Sequence, residues 1–147
     1  ITSKTLYADE ARAAQARALE GLAKLRKATR QLAQQGQPVE AYKKLLELAA
    51  QWAGTPQEQE LARDIAALEK DKTAKDAIAA YKRALEADRL WREASDLLDA
   101  KQTRKAELKV RLILRKFGDT PAGKRVRELY PEWAAEEDAR KSGGGTG

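Results

Sequence analysis

Cysteine, histidine, methionine and asparagine are all absent from the 147 residues of this chain. Without cysteine there is no disulfide and no thiolate nucleophile, and cysteine usage carries no information about compartment. Without cysteine or histidine, the zinc, haem and iron–sulfur centres that rely on those ligands are excluded, and no metal or cofactor is expected. Serine occurs only as Ser3, Ser95 and Ser142, with no Gly-x-Ser-x-Gly elbow, so the nucleophile of a typical hydrolase is missing as well. Valine and isoleucine, the residues a pleated sheet prefers, are scarce. No apolar run approaches the ~20 residues a membrane-spanning helix needs, so membrane insertion is not expected. A start at Ile1 rather than Met fits a processed or excised chain, in which a targeting segment would already be gone.

What remains is rich in Ala, Leu, Glu, Lys, Arg and Gln, which lose little side-chain freedom in a helix. The expected class is therefore all-α. A first helix runs from about Thr5 to Gln35, with Leu19, Leu22, Leu25 and Leu32 at helical spacing. Gly36 ends it, and Pro38 suits the first turn of a second helix, which reaches Trp52 before Ala53-Gly54 closes it. Thr55-Pro56-Gln57-Glu58 reads as the capped start of a third helix, with the Thr hydroxyl as cap and Glu58 as capping-box partner. The apolar pattern fades at Asp71-Lys72-Thr73, which predicts a break. A fourth helix follows over about Ala74 to Ala100 and a fifth over about Thr103 to Phe117. Gly118 stops the fifth, Thr120-Pro121 caps a sixth, and Pro131 opens a short last helix anchored by Trp133. Six or seven helices result, in one domain over residues 1–141, with 142–147 as a flexible Gly-rich tail.

Sliding the chain by 65 residues superimposes its two halves. Thr55-Pro56 falls on Thr120-Pro121, and Gln37-Pro38-Val39-Glu40-Ala41 falls on Gln102-Thr103-Arg104-Lys105-Ala106. Leu25 and Leu32 fall on Leu90 and Leu97. In the helix between, Ala41, Leu45, Leu48, Ala49 and Trp52 fall on Ala106, Val110, Ile113, Leu114 and Phe117, all apolar and all on one helix face. Copy one covers about 20–70 and copy two about 85–135. Each copy is a helix, a tight turn, an antiparallel partner and a capped return, a unit that buries its apolar faces by stacking. Trp52, Phe117, Trp91 and Leu48 are the expected structural anchors.

The run Leu108–Leu129 contains Phe117, Gly118-Asp119-Thr120-Pro121 and Lys124-Arg125-Val126. With its helix, aromatic stop and Thr-Pro restart, it resembles the tetratricopeptide-like repeats of bacterial envelope proteins, and Trp52–Ile65 resembles the same pattern. The resemblance implies stacked antiparallel helical hairpins that serve protein–protein contact, often beside another domain such as a thioredoxin-like one. It also implies a periplasmic or secreted location. A tetratricopeptide unit takes about 34 residues, so the longer spacing here calls for three helices per copy or one long helix shared between hairpins.

Charge is unevenly placed on a chain of net charge +6. Lys101, Arg104, Lys105, Lys109, Arg111, Arg115, Lys116, Lys124, Arg125 and Arg127 crowd residues 101–127 against only Glu107 and Asp119, while 36–73 is net acidic. Within the fifth helix, Leu108 and Leu112 lie opposite the core stripe among these cations. Either a neighbouring helix covers them, or they form an exposed apolar strip with a basic rim, suited to an acidic amphipathic partner. The candidate contact residues are Arg104, Leu108, Arg111, Leu112 and Arg115. The expected function is a non-catalytic protein-interaction or scaffolding module within a larger bacterial envelope protein. The alternative is a basic nucleic-acid-binding helical domain, which the lack of interleaved aromatics and of a recognised motif weighs against.

Two features imitate catalytic sites. Gly118-Asp119-Thr120-Pro121-Ala122-Gly123-Lys124 matches a phosphate-binding loop up to its lysine, but Arg125 stands where a magnesium-binding hydroxyl belongs. Helix capping accounts for the same residues. The carboxylate groups Asp96/Asp99 and Glu132, Glu136, Glu137 and Asp138 are expected to be solvated helix surface.

Overall fold

The computed structural model describes residues 3–143, which form seven α-helices and no strand among the described residues: α1 (Ser3–Gln34), α2 (Pro38–Gln51), α3 (Glu58–Lys70), α4 (Lys75–Asp99), α5 (Thr103–Lys116), α6 (Pro121–Leu129) and α7 (Pro131–Gly143). Two compact units share them, the first ending at Ile78 and the second beginning at Ala79, inside the first turn of α4.

The 65-residue offset of the sequence is mirrored in the helix boundaries, since α1 and α4 end at Gln34 and Asp99 while α2 and α5 cover 38–51 and 103–116. The turn between them is closed the same way each time. Gln37 N–H donates to Leu32 O at 2.9 Å and Gln102 N–H to Leu97 O at 2.8 Å, the signature of a helix end with one left-handed residue. That residue is Gly36 (φ 81°) in the first unit and Lys101 (φ 60°) in the second. Pro38 then opens α2, where its ring-fixed φ is already helical and the first N–H needs no partner, and Thr103 opens α5 at the matched position.

In the first unit, α1 and α3 both pack on α2. Ala41, Leu45, Leu48, Leu61 and Leu68 are buried, joined by Leu22 and Thr29 of α1. Trp52 stops α2, and its carbonyl accepts from the Thr55 hydroxyl at 2.6 Å. The expected cap of α3 takes a different form. Thr55 points back to Trp52, Gly54 N–H donates to Glu58 Oε2 at 3.1 Å, and the helix starts at Glu58 with no side-chain cap on Gln57. The break after α3 is held by Asp71, whose Oδ1 accepts from Thr73 N–H at 2.8 Å and from its hydroxyl at 2.7 Å.

In the second unit, Leu90, Ala94, Val110, Ile113, Leu114, Val126 and Ala134 form one core, flanked by Trp91, Leu112, Phe117, Tyr130 and Trp133. Here Thr120 does cap α6, accepting from Gly123 N–H at 3.1 Å while donating to Phe117 O at 2.6 Å. Pro131 breaks the helix where α3 of the first unit runs straight on, and α7 turns back onto α5 and α6. α7 continues through Gly143, two residues into the stretch expected to be a flexible tail, with Ser142 Oγ donating to Asp138 O at 3.2 Å. Residues 144–147 lie outside the described residues.

Matched positions solve one packing problem with two chemistries. In the first unit, Arg26 of α1 reaches α3, donating to Asp64 at 2.7 Å and to Glu60 at 2.8 Å. The residue 65 positions on is Trp91. It meets Tyr130 edge-on at 6.4 Å, and Tyr130 stacks on Trp133 at 4.6 Å. A charged bridge in one unit is an aromatic wedge in the other.

Candidate interaction surface

The second unit presents α5 with α4 on one flank and α7 on the other, and that placement divides the five candidate contact residues. Leu112 lies half-buried against the core that contains Leu90. Its match in the first unit is Glu47, and there the matched Leu25 is 49% exposed, beside a shallow depression walled by Lys44, Glu47 and Gln51. Leu112 thus packs on the core of the second unit, and the second apolar stripe belongs to packing at this position. Leu108 has no such neighbour and stands 69% exposed.

Arg111 is drawn inward. Its guanidinium donates to Glu107 at 3.0 Å, to Glu137 at 3.3 Å and to Glu136, and lies 5.9 Å over the Trp133 ring. The hydrogen bond to Glu136, then that to Glu107, raises its pKa above the ordinary arginine value. Arg115 is half-exposed, with Nε 3.7 Å from Glu137 Oε2. Arg104 is exposed, one turn before Leu108. Leu108 and Arg104 therefore remain on the open face of α5, with Lys101 and Lys105 of the preceding turn also exposed.

Glu137 corrects the expectation that the C-terminal carboxylates are all solvated. It is 1% exposed, ringed by Arg111, Arg115 and Arg140, the last at 3.7 Å, and its Oε2 accepts no hydrogen bond. One sequence signal could have found it. Trp133, Ala134 and Glu137 are spaced to share a helix face, so whatever buries Trp133 buries Glu137 too.

Other cations of the basic segment are also paired within the unit. Lys109 donates to Glu93 at 2.7 Å, and Arg127 holds Asp138 through two bonds of 2.7 and 3.1 Å. Arg83 of α4 clamps the end of α5, donating at 2.7 Å both to Lys116 O and to Asp119 Oδ1, with its guanidinium 5.3 Å over Phe117. These partners hold the Glu93, Asp119 and Asp138 carboxyls below their ordinary pKa values. The leading cause in each is a side-chain hydrogen bond, from Lys109, Arg83 and Arg127 respectively.

Each of these groups takes up a proton less readily folded than unfolded. Its contribution to stability is present above the unfolded pKa and disappears as pH falls through the lower folded value. The chain has no histidine or cysteine, the side chains whose ordinary pKa values lie nearest neutrality. The urea midpoint should therefore be level from about pH 5.5 to about pH 8 and fall below about pH 4. Arg83→Gln should flatten the acid limb, and a midpoint that drifts between pH 6 and 7 would contradict this account.

The loop that imitates a phosphate cradle is a helix start. An α-helix precedes it, and Gly123 lies where α6 touches the preceding turn. A Cβ there would sit 2.0 Å from Phe117 O and 2.8 Å from Gly118 Cα. Asp96 and Asp99 are exposed. No group of residues placed to hold a metal ion occurs among the described residues, nor does a helix long and apolar enough to cross a membrane.

Fold and surface together define an all-helical protein built from hairpins, with a basic helix carrying one exposed leucine. No family model matches the chain, and no curated protein or solved structure matches it.

Proposed function

We propose that the chain is a non-catalytic protein-interaction module that receives an acidic amphipathic segment on the open face of α5. The observation that carries this reading is Leu108, a large apolar side chain left 69% exposed beside the cations Arg104 and Lys105. An apolar knob with a basic rim matches a partner helix that alternates leucines with glutamates, whose charges steer the encounter and whose apolar face is buried on contact. The tetratricopeptide-like resemblance points the same way, and a place in a bacterial envelope protein is part of this proposal.

Nucleic-acid binding has less support. Lys109, Arg111, Arg115 and Arg127 are engaged by carboxylates of the same unit, which leaves fewer cations for phosphates.

A fluorescein-labelled synthetic peptide with leucines at helical spacing among glutamates serves as the probe, read by anisotropy against the full chain. Leu108→Glu and Arg104→Glu should each weaken binding by about tenfold or more. Equal binding by Leu108→Glu would overturn the proposed surface. Binding to random duplex DNA that weakens steeply with salt, and that outcompetes the peptide, would favour the nucleic-acid reading instead.

A further inference from the structure

Every residue of α1 from Ser3 to Ala18 is exposed. That stretch is about 24 Å of helix at 1.5 Å per residue, with no covering neighbour. It carries Leu6, 53% exposed, and Tyr7, 73% exposed. A helix left this open has little to hold it beyond its own propensity.

Leu6, Ala8, Ala13 and Ala16 lie elsewhere around this helix, but one continuous line of apolar and small residues runs along it. Tyr7, Ala11, Ala14, Ala18, Gly21 and Leu25 follow one another at alternating steps of four and three, the spacing of a coiled-coil seam. Nothing lies within 4 Å of a Cβ built on Gly21. Glu10 and Arg17 flank the seam on one side, and neither makes an ion pair among the described residues. Arg17 Nε donates to its own helix at Ala13 O, 3.3 Å away.

We infer that this free half of α1 pairs with α1 of a second copy of the chain, antiparallel, about a two-fold axis near Arg12 and Ala13. The charges choose the occupant and its register. When Tyr7 sits over Ala18 of the second copy and Ala11 over Ala14, Glu10 falls beside Arg17 of the second copy, and symmetry repeats the pair. Sliding one heptad in one direction sets Glu10 against Glu10; in the other, Glu10 falls beside Lys24 of the second copy, but Arg17 meets Arg17 and Tyr7 meets Leu25. A parallel arrangement pairs Glu10 with Gln15 and stacks Tyr7 on Tyr7, with no ion pair. In the charge-matched antiparallel register the bulky tyrosine meets an alanine and no like charges face each other across the seam, and the small residues between let the two backbones come close. An isologous two-fold contact is the commonest way for a chain to cover such a face with itself.

Sedimentation velocity on the full chain, from about 10 μM to about 1 mM at low salt, should show a monomer–dimer equilibrium. Glu10→Arg places arginine against arginine twice and should weaken the dimer at least about tenfold. Arg17→Glu should do the same with glutamates. Mixing the two variants restores both pairs, so the mixture should form a heterodimer at least as tight as the parent. This rescue is possible only if both variants fold. A chain that stays monomeric to about 1 mM overturns the inference. So does a dimer insensitive to Glu10→Arg, which would use another face, and so does a mixture no tighter than its components. Leu108→Glu should leave the dimer intact, which separates this contact from the peptide-binding face of α5.

Discussion

Replacing Arg111 with alanine should lower the stability of the second unit by about 3 kcal/mol. The reason is Glu137, buried to 1% exposure with one oxygen lacking any hydrogen bond. A carboxylate out of water is tolerated only while cations face it, and truncating the partner leaves its desolvation uncompensated. Arg115 and Arg140 at 3.7 Å stay behind and soften the loss, which places it at the low end of values for broken buried pairs. The guanidinium also covers Trp133, so part of the effect is lost packing. Replacing both residues, Arg111→Leu with Glu137→Leu, should be less damaging than the single truncation, because no buried charge is left over. Urea unfolding followed by circular dichroism and by tryptophan fluorescence in a Trp52→Phe background, which leaves only Trp91 and Trp133 as reporters, measures both. A single variant within about 0.5 kcal/mol of the parent, or a double variant no better than the single, would mean that Glu137 is not held by Arg111.

Gly123→Ala should be equally damaging, against the expectation from helix propensity. Inside a helix, alanine is favoured over glycine by about 1 kcal/mol. At Gly123 the new methyl carbon would land 2.0 Å from Phe117 O and 2.8 Å from Gly118 Cα, and both obstacles are backbone. The start of α6 must therefore lift off the preceding turn, breaking the 3.1 Å bond from Gly123 N–H to Thr120 Oγ1. Overpacking of 1–3 kcal/mol together with a lost cap of about 1 kcal/mol gives an expected loss of about 3 kcal/mol. Gly21→Ala in α1 is the contrast, since nothing obstructs its Cβ, and it should stabilise by about 0.5–1 kcal/mol. The two substitutions are chemically identical and differ only in what surrounds them. If both variants stabilise, the close approach at Gly123 is not rigid.

The match of α6 to a phosphate-binding loop has its cause in the same contact. Gly118 and Gly123 flank a Thr-Pro cap, and a glycine is needed at position 123 because backbone lies against it. Two requirements of a helix–turn–helix junction, a stop and a close approach, generate a glycine spacing that a phosphate cradle also uses. The first unit has Glu58 at the matched position. There α3 starts later, with the Glu58 carboxylate bonded to Gly54 N–H, so the motif is not repeated.

Local chemistry alone was enough to determine the helical class, the positions of the turns and the core faces of α2 and α5. Each depends on neighbours in sequence: residues that favour helix, a left-handed stop at Gly36, prolines opening α2, α6 and α7, and apolar side chains returning every three or four positions. The same logic extends to the 65-residue offset, whose helix boundaries recur in the structure. Burial on the outer faces was decided only by the tertiary structure, because it depends on which helix lies alongside. Leu108 and Leu112 are indistinguishable in spacing, yet Leu112 packs against the core while Leu108 faces solvent. Leu25 and Leu90 are matched in sequence, yet Glu47 stands in the first unit where Leu112 stands in the second, and Leu25 is left open. The spacing of Glu137 places it on the face of Trp133 and Ala134, but the arginines that enclose it are supplied only when α7 folds back onto α5. A periodic pattern reports that a helix has an apolar face; what covers that face is a property of contacts between residues far apart in the chain.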